Sequence, residues 1–195
     1  MANPGKWLGM KYPDSDLVGL LFRHARPKTP GLLAIDVGCG AGRHLKLLEE
    51  MGYQAIGVEL DSQAHQYATA NGFTVYQAEA AQFVPPRPPT LAIGWGFMMM
   101  THAGPAIIAA WRPEIVVADW RTRNNTCYSW QGNQPLEHGG VRLHNPSHLL
   151  HGQTYCFHDL DECHLPGYTR LACQTITKNN GGEVNEWYQT VHVRS

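Results

Sequence analysis

The chain carries little charge and almost no excess of either sign. Of its 195 residues 16% are charged, and the formal net charge is −1. Proteins that bind nucleic acid broadly neutralise phosphates with a basic surface, so no nucleic-acid partner is expected beyond a small local patch. The five cysteines, Cys39, Cys127, Cys156, Cys163 and Cys173, form no Cys-x-x-Cys, and their odd number fits reduced thiols better than a disulfide scaffold. No apolar run approaches the roughly 20 residues of a membrane span. The opening Met-Ala-Asn-Pro-Gly-Lys has no apolar core of the kind a signal peptide needs. These absences predict a cytoplasmic protein without a membrane partner. With 43% hydrophobic residues, the chain has enough apolar material for one globular domain.

Against that plain background, residues 32–42 stand out: Leu-Leu-Ala-Ile-Asp-Val-Gly-Cys-Gly-Ala-Gly. An apolar stretch of strand length ends near an acid, Asp36. Gly38, Gly40 and Gly42 follow at alternate positions, and a helical pattern then begins at His44, Leu45, Leu47 and Leu48. A strand turning through glycines into a helix lets a ligand lie against bare backbone, and the helix start adds free N–H groups. The dinucleotide fingerprint Gly-x-Gly-x-x-Gly does not fit, because the third glycine comes one residue early and Arg43 occupies its place. The phosphate loop of nucleotide triphosphatases is absent too, since no Gly-Lys-Ser/Thr follows.

Strand-like and helix-like segments alternate through the next part of the chain. A helix is expected at 14–25, ended by Pro27, Pro30 and Gly31. Strands are expected at 32–37, 54–59, 73–77, 91–95 and 115–119, with helices at about 42–51, from Asp61 or Ser62 to about 71, and at about 103–111. The Pro-rich residues 85–90 form a stiff connector. Residues 168–177 and 184–193 alternate around Lys178-Asn-Asn-Gly-Gly182, a hairpin signal. The pattern predicts one α/β domain: a doubly wound, Rossmann-like, mostly parallel seven-stranded sheet with an antiparallel C-terminal hairpin edge. In such sheets ligands bind at the carboxyl ends of the strands, where Gly38, Glu59, Glu79, Trp95 and Asp119 all fall.

Asp36-x-Gly-x-Gly-x-Gly resembles motif I of the class I S-adenosylmethionine-dependent methyltransferases. The likeness is good over 31–119 and loose over 150–195. It implies S-adenosyl-L-methionine as methyl donor and S-adenosyl-L-homocysteine as product. In that family the acid and the loop residues, here Asp36, Gly38, Cys39, Gly40 and Gly42, meet the amino-acid end of the cofactor. The acid ending strand two holds the ribose hydroxyls; Glu59, next to Leu60, matches it, with Asp61 the alternative if the register slips. Glu79 and Ala80 match the stretch that meets the adenine, and Trp95 or Phe97 lies where relatives line the reactive face. Neither Asn-Pro-Pro-Tyr nor Asp-Pro-Pro-Tyr is present there, which points away from nucleic-acid and protein-amide substrates and toward a small molecule.

Methyl transfer from a sulfonium is an in-line displacement that needs alignment and, for many acceptors, a base. His102 and Asp119, each near a strand end, are the candidates. Residues 120–157 show little periodicity and many His and aromatic residues, and are expected to be an irregular lid over the acceptor. Arg121 and Arg123 could pair with an anionic substrate or be solvated. Six of the eleven His lie between 138 and 164, but their spacings match no standard zinc site, and no metal is expected. Two other readings stay open: a nicotinamide-dependent oxidoreductase, and a non-catalytic protein that binds S-adenosylmethionine.

Overall fold

A computed structural model describes residues 11–137, 139–148 and 150–195; His138, counted above with the His-rich segment, and residues 1–10 lie outside the described residues. Helix α1 (Ser15–His24) starts at Asp14, whose carboxylate accepts from the Asp16 N–H, and buries Leu17, Leu20 and Leu21 at helical spacing. Strand β1 (Leu33–Val37) is buried throughout. Helix α2 (Leu45–Glu50) begins three residues later than expected, because Gly42 sits at φ +84° in a turn that precedes it. There follow β2 (Gln54–Glu59), α3 (Ser62–Ala70, capped by Asp61), β3 (Val75–Gln77), β4 (Leu91–Gly94) and α4 (Gly104–Ala110). Strand β5 (Ile115–Arg121) runs two residues beyond the expected end.

The seven-stranded sheet has the order β3-β2-β1-β4-β5-β10-β9. The first five are parallel; β9 (Tyr168–Asn180) and β10 (Glu183–Arg194) form the expected hairpin, with β10 antiparallel to β5. The order reverses between β1 and β4, which is where doubly wound sheets bind ligands. Side chains alternate between two apolar layers. Ala34, Leu91 and Val117 meet Leu17, Leu21 and Leu48 on one face, while Leu33, Ile35, Ala92 and Val116 meet Ile108 and Trp111 on the other.

The expectation for 120–157 needs correction. The segment is not irregular throughout: β6 (Gln134–Pro135), β7 (Gly140–Arg142) and β8 (Thr154–Cys156) make a separate three-stranded antiparallel sheet. Cys127, Leu143, Leu150, Tyr155 and Phe157 form its own apolar cluster. One 3₁₀ turn, Leu160–Glu162, follows it.

Candidate active site

The glycine loop is built around close approaches. A Cβ on Gly57, in β2, would lie 2.4 Å from Cys39 Sγ, so the thiol of the loop fills the hollow this glycine leaves. Gly42 backs onto Phe73 in the same way, at 2.7 Å. Gly40 is the opposite case: φ is +55° and nothing stands within 4 Å of where its Cβ would be, so its face is open to a ligand. Glu59 locks this loop in place. Its Oε2 accepts from the Gly40 N–H at 2.8 Å and its Oε1 from the Asp61 N–H at 2.8 Å. Burial pushes the Cys39 thiol far up, with the Asp36 and Glu59 charges adding to it, so Cys39 packs as a neutral side chain.

A cavity of about 250 Å³ opens over this loop. One wall is Gly38, Cys39, Gly40, Ala41, Arg43 and His44. Trp95 and Gly96, just past β4, line it together with Asp119 from β5. The rest of the lining comes from residues that no site motif marked: Asp14, Met99, Lys178, Trp187 and Gln189. Register explains the last of these, since Gln189 lies opposite Asp119 in the β5–β10 ladder.

Asp119 is 8% exposed, and its Oδ1 accepts a short hydrogen bond from the Gly96 N–H. Burial pushes its carboxyl up to about 6, more than the Gly96 bond lowers it; the Asp14 charge raises it further and His44 and Arg43 lower it. A carboxylate in that range exchanges protons near neutral pH. Behind the loop, Asp36 is 1% exposed; among the described residues neither of its oxygens accepts a hydrogen bond, and Oδ2 lies 3.4 Å from His44 Nδ1. It does not line the cavity; His44 stands between.

The remaining sequence candidates separate by position. Glu59, the last residue of β2, and Leu60, Glu79 and Ala80, just past β2 and β3, lie outside the cavity, with Leu60 and Glu79 exposed. Gly42 faces a second hollow shared with Lys46, Tyr67 and Phe73. His102 is exposed and packs against His158 (5.3 Å between ring centres) and Gly139, away from the cavity. Of the three consecutive methionines, Met98 is core, Met99 lines the cavity and Met100 is exposed. No described residue of 120–157 lines the cavity. Arg121 is buried against Asn125 and Asn185, and Arg123 pairs with Asp159 and Glu162, so each has a structural partner. Among the described residues, no three His, Cys, Asp or Glu side chains come together as a metal site. No helix among them is long and apolar enough to cross a membrane.

Comparison with known proteins points the same way. Residues 35–87 match a family model described as a methyltransferase domain. No curated protein matches the chain. Among solved structures, a protein from Pyrococcus horikoshii OT3 aligns with a TM-score of 0.69 at 14% identity, covering 92% of this chain and 88% of that one. A magnesium protoporphyrin IX methyltransferase from Synechocystis PCC 6803 with bound SAM aligns at TM-score 0.61 and 14% identity, covering 92% and 77%. An S-adenosylmethionine-dependent methyltransferase from Mesorhizobium loti aligns at TM-score 0.65 and 13% identity, covering 86% and 93%.

Proposed function

We propose, from the premise that the chain belongs to the class I S-adenosylmethionine-dependent methyltransferases, that it methylates a small-molecule acceptor with Asp119 as the proton-accepting group. One observation carries the reading: the open glycine loop, Trp95 and the buried Asp119 line a single cavity of about 250 Å³. A volume of that size suits small groups better than a folded macromolecular surface. The magnesium protoporphyrin IX methyltransferase that aligns with the chain is named for a small-molecule acceptor as well. The free cysteines agree with a cytoplasmic setting.

The residues fit the donor. Gly40 offers uncovered backbone, and Glu59, fixed by two backbone N–H groups, keeps lone pairs for a vicinal diol. Leu60, Glu79 and Ala80 continue the same sheet edge toward the adenine end. When bound, S-adenosylmethionine supplies an electrophilic methyl group on sulfur. The chain's own contribution is to hold the acceptor beside the loop, keep water out with Trp95 and Trp187, and take up the acceptor's proton on Asp119. His102, exposed and turned away from the cavity, is the weaker candidate for that role.

The test is ligand-dependent unfolding and calorimetry. S-adenosylhomocysteine at 100 times its Kd should stabilise the native state by about 2.7 kcal/mol. For a domain of this size that corresponds to a rise in Tm of about 5–10 °C. A shift with NADH and none with S-adenosylmethionine or S-adenosylhomocysteine refutes the reading in favour of an oxidoreductase. Binding without turnover across a broad panel of acceptors would favour a non-catalytic role.

A further inference from the structure

Arg121, at the end of β5, is a buried cation whose partners are neutral. It is 7% exposed. Its Nε donates to Asn125 Oδ1 at 3.0 Å and its Nη2 to Asn185 Oδ1 at 2.7 Å. The Asn125 amide is itself fixed, because its Nδ2 donates to the Thr122 and Glu186 carbonyls at 2.9 and 2.7 Å. The guanidinium lies against two rings, 5.3 Å from the centre of Tyr155 and 5.7 Å from that of Trp187. Among the described residues no carboxylate comes within ion-pair distance of it. The acids on either side of Asn185 are engaged elsewhere: Glu183 lies 3.4 Å from His148, and Glu186 accepts from Thr122, Asn124 and Thr177. Nη1 has no hydrogen bond among the described residues, yet it is not sealed from solvent. Two amides therefore hold one edge of the fork, and its end stays free for a bidentate anion. A buried cation is costly to leave without a counter-charge. One held rigid by neutral amides is prepared for an anion that arrives with a ligand.

The place of this fork narrows the ligand. Asp119 and Arg121 are two residues apart in β5 and share a face, about 6–7 Å along the strand. On β10, Gln189 stands opposite Asp119 and Trp187 opposite Arg121. Trp187 lines the cavity, so the fork lies one strand step beyond Asp119, next to the cavity lining. We propose that the acceptor carries a carboxylate, which the free end of the Arg121 fork holds beside Trp187; this rests on the methyltransferase reading above. The carboxylate supplies the counter-charge that the chain itself leaves out. The indole of Trp187 supports the body of the acceptor between its two ends. Arg121 takes no part in the transfer; it selects the acceptor and decides which end of it faces the donor.

The experiment uses 4-hydroxybenzoate and 4-hydroxybenzamide, nearly equal in shape and different in charge, with a ring between hydroxyl and acyl group. Each is titrated at pH 7 into protein saturated with S-adenosylhomocysteine, and tryptophan fluorescence follows binding. The benzoate should bind at least about tenfold tighter than the benzamide. Arg121→Gln should cut that ratio to about threefold or less, and Arg121→Lys, which keeps the charge without the fork, should fall between. A second measurement needs no variant. In wild-type protein the side-chain Nε–H resonance of Arg121 should shift with the benzoate and stay in place with the benzamide at equal saturation. Equal affinities, a ratio that survives Arg121→Gln, or an unmoved Arg121 resonance overturns the inference. S-adenosylhomocysteine binding, measured separately by calorimetry, keeps the two levels apart. Binding of it without a preference for the benzoate overturns this inference alone. Absence of binding overturns the methyltransferase reading, and this one with it.

Discussion

Replacing Asp119 by Asn should make the protein more stable at pH 8 while removing the group proposed to accept the proton. The carboxyl of Asp119 titrates at about 6 in the folded chain against an ordinary 3.8, mainly because burial disfavours its charge. A group whose folded pKa is raised favours the fold while protonated. Its contribution is fully present below the unfolded value and is lost as pH climbs through the folded one. Two units at about 1.4 kcal/mol each put the cost of keeping Asp119 ionised near 3 kcal/mol at pH 8. Asn keeps the acceptor for the Gly96 N–H and never ionises. Equilibrium urea unfolding of both proteins at pH 8, 6, 5 and 4 checks this. The variant should lead by about 3 kcal/mol at pH 8. The lead should shrink between pH 6 and 4 and vanish near 3.8. Subtraction matters, because His192 works in the opposite sense over an overlapping window. Burial lowers it from 6.5 to about 4, so its stabilising effect is full above the upper value and is lost as pH falls through the lower one. The wild-type curve alone would look flat, whereas the difference between the two proteins isolates Asp119. A variant less stable at pH 8, or a difference that ignores pH, refutes the account.

Gly57→Ala should cost about 1–3 kcal/mol by thermal unfolding, as overpacking does. Most of that should disappear when Cys39→Ala removes the thiol 2.4 Å away; additive effects would refute the contact. Glu59→Gln should weaken S-adenosylhomocysteine binding by at least about tenfold in calorimetry, since an amide replaces a charged acceptor. Unchanged affinity would remove Glu59 from the ribose position. Phe157→Ala should cost about 3–5 kcal/mol and expose amides of β6–β8 to hydrogen exchange ahead of the large sheet, because Phe157 anchors the smaller cluster. Uniform loss of protection over both sheets would contradict a separate core.

Much of the large sheet could be read in advance because its signals are local. β1 is apolar except for Asp36, the glycine loop follows it directly, and β9 and β10 alternate around Asn179-Asn180-Gly181-Gly182. The small sheet could not. Its strands are two or three residues long, too short to show a period, and one contains Pro135. Phe157, Leu143 and Tyr155 hold it together across sequence distance. The site divided in the same way. The loop and Asp119 announced themselves at strand ends. Asp14 resembled a helix cap and nothing more, although it is both a cap and a cavity wall. Trp187 and Gln189 lie on one face of β10 by their period of two, but only the register against β5 brings that face to Asp119. His102 lies near a strand end as well, yet the loop after β4 carries its ring toward His158 instead.

The ion pair between Asp16 and Lys178 joins α1 to the C-terminal hairpin, and Lys178 also lines the cavity. During synthesis the glycine loop emerges early, whereas the rest of the lining is complete only after β10 has left the ribosome and paired with β5. On the proposed function, the nascent chain therefore makes its glycine loop long before the strand that completes the cavity lining. On that reading, the docking of α1 on the C-terminal hairpin through Asp16 and Lys178 is the step that would complete the site.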